Sequence, residues 1–215
     1  MKIQKDAKLV MIGDSLTDTG RVQPVAEGLN DPLGRGYVTM VDAALTSTYP
    51  QLGIRVVNVG TSGNTTRDLK ARWQRDVLDL NPDWLSVMIG TNDVWRQFDL
   101  PRIKEQHVLP EEYERNLTEL VSQTRPRLKG LILMTPYFVE TNKQDAMRVQ
   151  MDRYGAVVRK VAASNDAIFI DTQAAFDEVL KHVHPMSIAW DRIHPNQTGH
   201  MILARAFLKA IDYAW

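Results

Sequence analysis

A serine, an aspartate and a histidine stand at positions 15, 191 and 194 of a 215-residue chain. Together they could supply a nucleophile, the acid that orients a base, and the base itself. Ser15 follows Gly13-Asp14, where glycine permits a tight turn and a short acid can bond neighbouring amides. Asp191 and His194 are three apart, so both side chains can lie in one turn. The chain order Ser, Asp, His also occurs in α/β-hydrolases, although the G-x-S-x-G elbow of that fold is absent here. Acyl transfer by such a set needs donors aimed at a developing oxyanion. The backbone N–H of Ser15, the N–H of Gly63 and the side-chain amide of Asn92 are available. The same residues also fit plainer roles: Asp14 and Ser15 as turn and cap residues, Gly63 and Gly90 as turn glycines, Asn92 or Asp93 as a helix cap.

These residues can meet only if the surrounding elements bring them together. Leu9-Val10-Met11-Ile12 is a short apolar run bounded by Lys8 and Gly13, the pattern of a strand buried on both faces. Further strands are expected at 54–59, 84–89, 130–135 and 167–171. The first three of the five strands each hand over to glycine beside a hydrogen-bonding side chain: Gly13-Asp14-Ser15, Gly60 to Thr65, and Gly90-Thr91-Asn92-Asp93. Helical spacing is read over 36–48, from Thr65 or Thr66 through Leu69, Trp73, Val77 and Leu80, over 111–124, 146–163, 174–180 and 199–211. Residues 17–33, with Pro24, Gly28 and Pro32, form an irregular excursion, and 94–110 is read as a long connection. Strands alternating with helices predict an α/β fold, a parallel sheet covered on both faces, in one domain over 1–215.

Lys plus Arg equals 26 and Asp plus Glu equals 26, so no long-range pull on nucleic acid or membrane is expected. Without cysteine the chain can form no disulfide or thiolate metal site. No signal-peptide core precedes Leu9 and no apolar segment has membrane-spanning length, so a cytoplasmic protein is expected. His182 and His184 are a weak metal pair, with no H-E-x-x-H pattern, and neither metal nor cofactor is expected.

G-D-S-L-T-D at 13–18 resembles the first block of the GDSL family, whose SGNH hydrolase members are named for Ser, Gly, Asn and His. Gly63 in T-S-G-N-T, Asn92 in I-G-T-N-D, and Asp191 with His194 in D-R-I-H-P match the later blocks, in order along nearly the whole chain. The resemblance implies a flavodoxin-like three-layer α/β/α sandwich with a five-stranded parallel sheet. It further implies Ser15, Asp191 and His194 as the catalytic set, with Ser15, Gly63 and Asn92 forming the oxyanion hole. G-N-T-T-R-D-L-K-A-R-W, N-D-V-W-R-Q-F-D-L-P and W-D-R-I-H-P-N-Q-T-G-H are similar to the intracellular acetylxylan esterases of bacilli. That similarity implies removal of acetyl groups from xylooligosaccharides taken into the cell, and a homo-oligomer.

Trp95, Tyr137, Phe138 and Trp190 sit beyond strand ends or beside Asp191, where their faces could stack on sugar rings, with Arg96, Asn142 or Asp145 bonding hydroxyls, or could simply pack the loops or an oligomer interface. Trp190 is the expected wall of a narrow acyl pocket. A lysophospholipase or thioesterase, and a carbohydrate-binding module without catalysis, are the alternatives. At the carboxyl end Tyr213 and Trp215 read as a frayed tail or as a subunit contact.

Overall fold

Leu9, Val10, Met11 and Ile12 are all shut off from solvent, which a strand achieves only with neighbours on both edges and helices on both faces. In the computed structural model, which describes residues 1–214, that strand is β1, Lys8–Gly13. The others are β2 (Arg55–Asn58), β3 (Trp84–Met88), β4 (Gly130–Met134) and β5 (Ile168–Ile170). All five are parallel, in the order β2-β1-β3-β4-β5, with Val10 opposite Val57 on one side and Leu85 on the other.

The helices are α1 (Ser15–Asp18), α2 (Tyr37–Thr48), α3 (Thr66–Trp73), α4 (Thr91–Asp99), α5 (Pro110–Thr124), α6 (Ala146–Ser164), α7 (Thr172–Leu180) and α8 (Gln197–Ala210). α2 and α7 pack on α8, while α3 and α6 pack on α5, giving two helical layers around the sheet. This is the expected three-layer α/β/α arrangement. The chain runs outward from β1 to β2, then crosses back to β3 on the other side of β1. A reversal of this kind opens a crevice at the carboxyl ends of the strands.

The helix expected through Leu80 is α-helical only to Trp73 and runs on as a π-helical segment, Gln74–Leu78; the other expected elements are present with ends moved by one to a few residues, apart from two differences. Residues 91–99, read in part as a connection, form α4; its first turn buries Thr91, Asn92, Asp93 and Val94, so its inward face is polar where an apolar stripe would mark a helix. Tyr213 is not frayed but packed on its own chain. It is buried, its hydroxyl donates to Ala44 O at 3.2 Å, and its ring meets Tyr49 edge-on at 5.4 Å. Trp215 lies outside the described residues.

The end of β2 lies against α1 because of two residues. Asn58 is wholly buried and donates to Thr17 O at 2.7 Å and Leu33 O at 2.8 Å, while its own Oδ1 accepts Gly60 N–H at 2.9 Å. Gly60 lets the two backbones touch: a Cβ there would lie 2.4 Å from Asp18 N and 2.7 Å from the Thr17 carbonyl carbon. Backbone cannot rotate away as a side chain can. Gly60→Ala is therefore expected to lower unfolding free energy by about 1–3 kcal/mol, read as a lower urea midpoint at unchanged slope.

Candidate active site

β1 ends in a turn that Asp14 organises. Its Oδ1 accepts the Leu16 N–H at 3.0 Å, so Ser15 opens the one-turn helix α1 with an N–H that has no intrahelical acceptor. Among the described residues the second oxygen, Oδ2, is buried without a partner, and burial pushes the Asp14 carboxyl up to about 6.

Ser15 Oγ lies 2.9 Å from His194 Nε2, and His194 Nδ1 lies 2.6 Å from Asp191 Oδ2. Asp191 Oδ1 accepts the backbone N–H groups of Ile193 at 2.9 Å and His194 at 2.7 Å. Burial works upward on Asp191, but the bonds from the His194 ring and the two amides outweigh it and hold the carboxyl below its ordinary value. An ionised acid beside Nδ1 keeps the ring proton there and leaves Nε2 free to accept from the serine.

The loop carrying Asp191 and His194 is held from beneath by the chain leaving β4. Tyr137 donates its hydroxyl to Ile193 O at 3.2 Å, and Val139 N–H donates to Arg192 O at 2.9 Å. The Tyr137 ring is wholly buried and stacks on Phe176 with centroids 4.2 Å apart. Expected as a sugar platform, Tyr137 is instead a support of the histidine loop, because its ring is spent on the core. Phe138 is buried too, and Asp145 caps α6 through the N–H groups of Met147 and Arg148.

Gly63 sits at φ +80°, a conformation that favours glycine. Among the described residues its N–H has no backbone acceptor. Thr61 N–H donates to Gly13 O at 3.0 Å, and Asp18 Oδ2 accepts Ser62 N–H at 3.0 Å and Ser62 Oγ–H at 2.7 Å. The Gly63 loop is thus strapped to the turn that carries Ser15. Asn92 does not cap α4; it donates one Nδ2 hydrogen to Asn64 O at 3.0 Å and accepts Arg96 Nη2–H on Oδ1 at 3.2 Å. These partners fix which end of the amide is nitrogen, and one N–H remains for another acceptor.

Arg96 also pairs with Asp99, so its guanidinium is engaged within the chain instead of waiting for sugar hydroxyls. The Trp95 ring stands 5.8 Å from the His194 ring, at the rim of the site. Trp190 is beside Asp191 in sequence but 79% exposed, since Ile188 and Ala189 take the inward positions. It does not wall a narrow pocket of its own chain. Among the described residues no group of three or more His, Cys, Asp or Glu could hold a metal ion.

Sequence reasoning missed the polar groups behind the donors. Asp93 is fully buried and accepts Thr66 N–H at 3.0 Å and Thr66 Oγ1–H at 2.6 Å, clamping the start of α3 to the start of α4. Arg72 in the last turn of α3 and Asp76 in the π-helical segment that follows it (Gln74–Leu78) are four apart and pair at 2.7 Å. A charged pair at helical spacing on the stripe of Leu69, Trp73 and Val77 was the available signal.

A model of the GDSL-like lipase/acylhydrolase family matches residues 11–202. The chain belongs to that family. As a member it is a serine-type carboxylic ester hydrolase with the SGNH hydrolase fold. Over 215 residues it is 58% identical to an acetylxylan esterase of Geobacillus stearothermophilus, covering 100% of this chain and 98% of the relative. The crystal structure of an acetylxylan esterase from that organism superimposes with a TM-score of 0.99 at 58% identity, over 100% of this chain and 98% of the other. An α/β hydrolase enzyme from the metagenome of Lake Arreo, Spain, gives a TM-score of 0.97 at 53% identity, over 98% and 97% of the two chains.

Asp93 gives this family member a pH-dependent stability. Burial raises its carboxyl from 3.8 to about 7, against the opposing bonds from Thr66. Between those values the unfolded chain sheds a proton that the folded chain keeps. Stability present at low pH is therefore lost as pH rises through the folded value. In urea titrations the parent should lose stability relative to Asp93→Asn between about pH 4 and pH 7, by at most roughly 4 kcal/mol, and no more above that range.

Proposed function

We propose that this chain is an esterase that removes acetyl groups from acetylated xylan fragments, through an acyl-enzyme on Ser15. The observation that carries the reading is the unbroken hydrogen-bonded series from Ser15 to His194 to Asp191, set beside a Gly63 N–H with no backbone acceptor among the described residues. The full-length likeness to an acetylxylan esterase supports the substrate class. Structures described as catalytic mutants of the Geobacillus enzyme carry S15A, D191A and H194A, the residue types and numbers of the set in this chain.

His194 Nε2 takes the Ser15 proton as Oγ attacks the acetyl carbonyl, and Asp191 offsets the charge that forms on the imidazole. The oxyanion is met by the N–H groups of Ser15 and Gly63 and by the free Nδ2 hydrogen of Asn92. His194 then protonates the leaving sugar oxygen. A water that gives its proton to the same nitrogen attacks the acetyl-serine; as the Oγ–acyl bond breaks, Nε2 returns the proton to Ser15 Oγ and acetate departs. Trp95 offers an aromatic face at the rim for the sugar. The exposed Trp190 ring is the kind of surface a second subunit covers, and a homo-oligomer residing in the cytoplasm belongs to the same reading.

Rates on acetylated xylobiose and on aryl esters of increasing acyl length test the substrate. The acetyl sugar should be hydrolysed and rates should fall as the acyl chain grows. An eight-carbon ester cleaved as fast as the acetyl ester would replace this reading with a lysophospholipase or thioesterase. An organophosphate should label Ser15 and leave Ser15→Ala unlabelled; an unlabelled parent would favour a binding module. Asn92→Ala removes one oxyanion donor, worth about 3 kcal/mol, so its kcat should fall roughly a hundredfold with the fold intact. Turnover within about threefold of the parent would take Asn92 out of the mechanism.

A further inference from the structure

Arg72 takes no part in the steps above, yet its single guanidinium joins the exits of the strands that carry them. Its side chain is only 9% exposed. Nη2 donates to Gly13 O at 2.9 Å, Nη1 to Val59 O at 2.7 Å, and Nε to Asn64 Oδ1 at 2.6 Å. Gly13 closes β1 two residues before Ser15, Val59 follows β2, and Asn64 follows Gly63 directly. The carbonyl of Asn64 is in turn the acceptor that orients Asn92 after β3. One path of hydrogen bonds therefore runs from the serine turn through Arg72 and Asn64 to the Asn92 amide.

Backbone satisfaction alone does not account for this placement. Gly13 O already accepts the Thr61 N–H at 3.0 Å, so the carbonyl would not be orphaned without Arg72. Asp76, the acid beside Arg72, also accepts from Arg75 Nε at 2.5 Å. Arg72 thus shares its one carboxylate with a second, exposed guanidinium. Burying a guanidinium with incomplete compensation costs stability, and its planar fork can hold several acceptors in fixed directions where an ammonium cannot.

We propose that Arg72 is a positioning residue for acyl transfer: it sets the spacing between the Ser15 turn and the Gly63–Asn64 loop, so that the three oxyanion donors converge on one point. This rests on the esterase reading. Substrate in its ground state does not need that convergence, whereas the tetrahedral state does. The effect therefore falls on kcat and on transition-state analogues, with ground-state binding little changed.

Arg72→Lys and Arg72→Met, assayed on an acetyl ester with phenylboronic acid as the tetrahedral analogue, test the role. Both variants should lose about thirtyfold or more in kcat with KM within about threefold, and boronate affinity should fall in step with kcat/KM. Lysine should not rescue methionine, because charge without the fork cannot hold the acceptors. A folded variant with kcat within about threefold of the parent, or with lowered kcat but unchanged boronate affinity, overturns the proposal. If Arg72→Met does not fold, Asn64→Ala decides, since it removes only the acceptor on the loop. Its kcat should fall about tenfold with Tm within about 2 °C of the parent, and kcat within about twofold of the parent overturns the role. A parent inactive on every ester overturns the esterase reading and the role of Arg72 with it. An active parent with unimpaired variants overturns the role of Arg72 alone.

Discussion

The contact between Ser15 Oγ and His194 Nε2 joins residues 179 apart in the chain, and most of the structure exists to make it short. Neither residue's element approaches the other through local folding. The last loop reaches the exit of β1 because α8 packs against both β5 and α2, and because Tyr137 and Val139 hold the backbone at Arg192 and Ile193. A flexible closure over that separation would cost several kcal/mol in chain entropy. The packed sheet and helices meet that cost once, for the nucleophile and base together.

The oxyanion half of the site obeys a different constraint. Donors that are to stabilise a transient negative charge must be fixed before it forms, and fixing them means burying polar groups. Asp14, Asn58, Asp93 and Asn92 are accordingly buried; Asp14 holds an amide of its own turn, and the other three each hold a backbone partner from another strand exit. Two of these acids carry raised values from burial, Asp14 at about 6 and Asp93 at about 7. Among the described residues no basic side chain bonds either carboxyl. Stability is thereby lost where rigidity is gained, a pattern common at functional sites.

Much of this was legible before any coordinates. Strands such as Leu9 to Ile12 are readable because burial on both faces writes a continuous apolar run, and the site residues fall at the polar ends of those runs. The family resemblance of G-D-S-L and D-R-I-H-P supplied the partnership between residues far apart in sequence, which no periodicity can. What stayed hidden shares one cause: side chains whose environment contradicts their type. Residues 94–99 read as connection because polar Thr91, Asn92 and Asp93 take the buried positions of the first turn of α4. Tyr137 reads as a surface aromatic because it lies past a strand end, and only packing on Phe176 reveals it as core. Trp190 reads as a pocket wall from its neighbour Asp191, but adjacency in sequence says nothing about which way a loop side chain turns.

The two halves of the site also differ in exposure, and the difference follows from the chemistry each must do. Asn92 and Asp93 are buried within the framework of strand exits, whereas Asp191 and His194 lie on an exposed loop. Acid–base transfer has to admit first a sugar oxygen and then a water to the same nitrogen, so it needs an open side. Charge stabilisation gains from a closed one, since a lower local dielectric strengthens each donor. Ser15, half-buried at the boundary, is the one residue that must serve both. Its place at the first position of a one-turn helix leaves its N–H without an intrahelical acceptor while its hydroxyl meets His194 on the exposed loop. That requirement, more than any property of the serine itself, explains why the chain breaks from strand to helix within the two residues after Met11-Ile12.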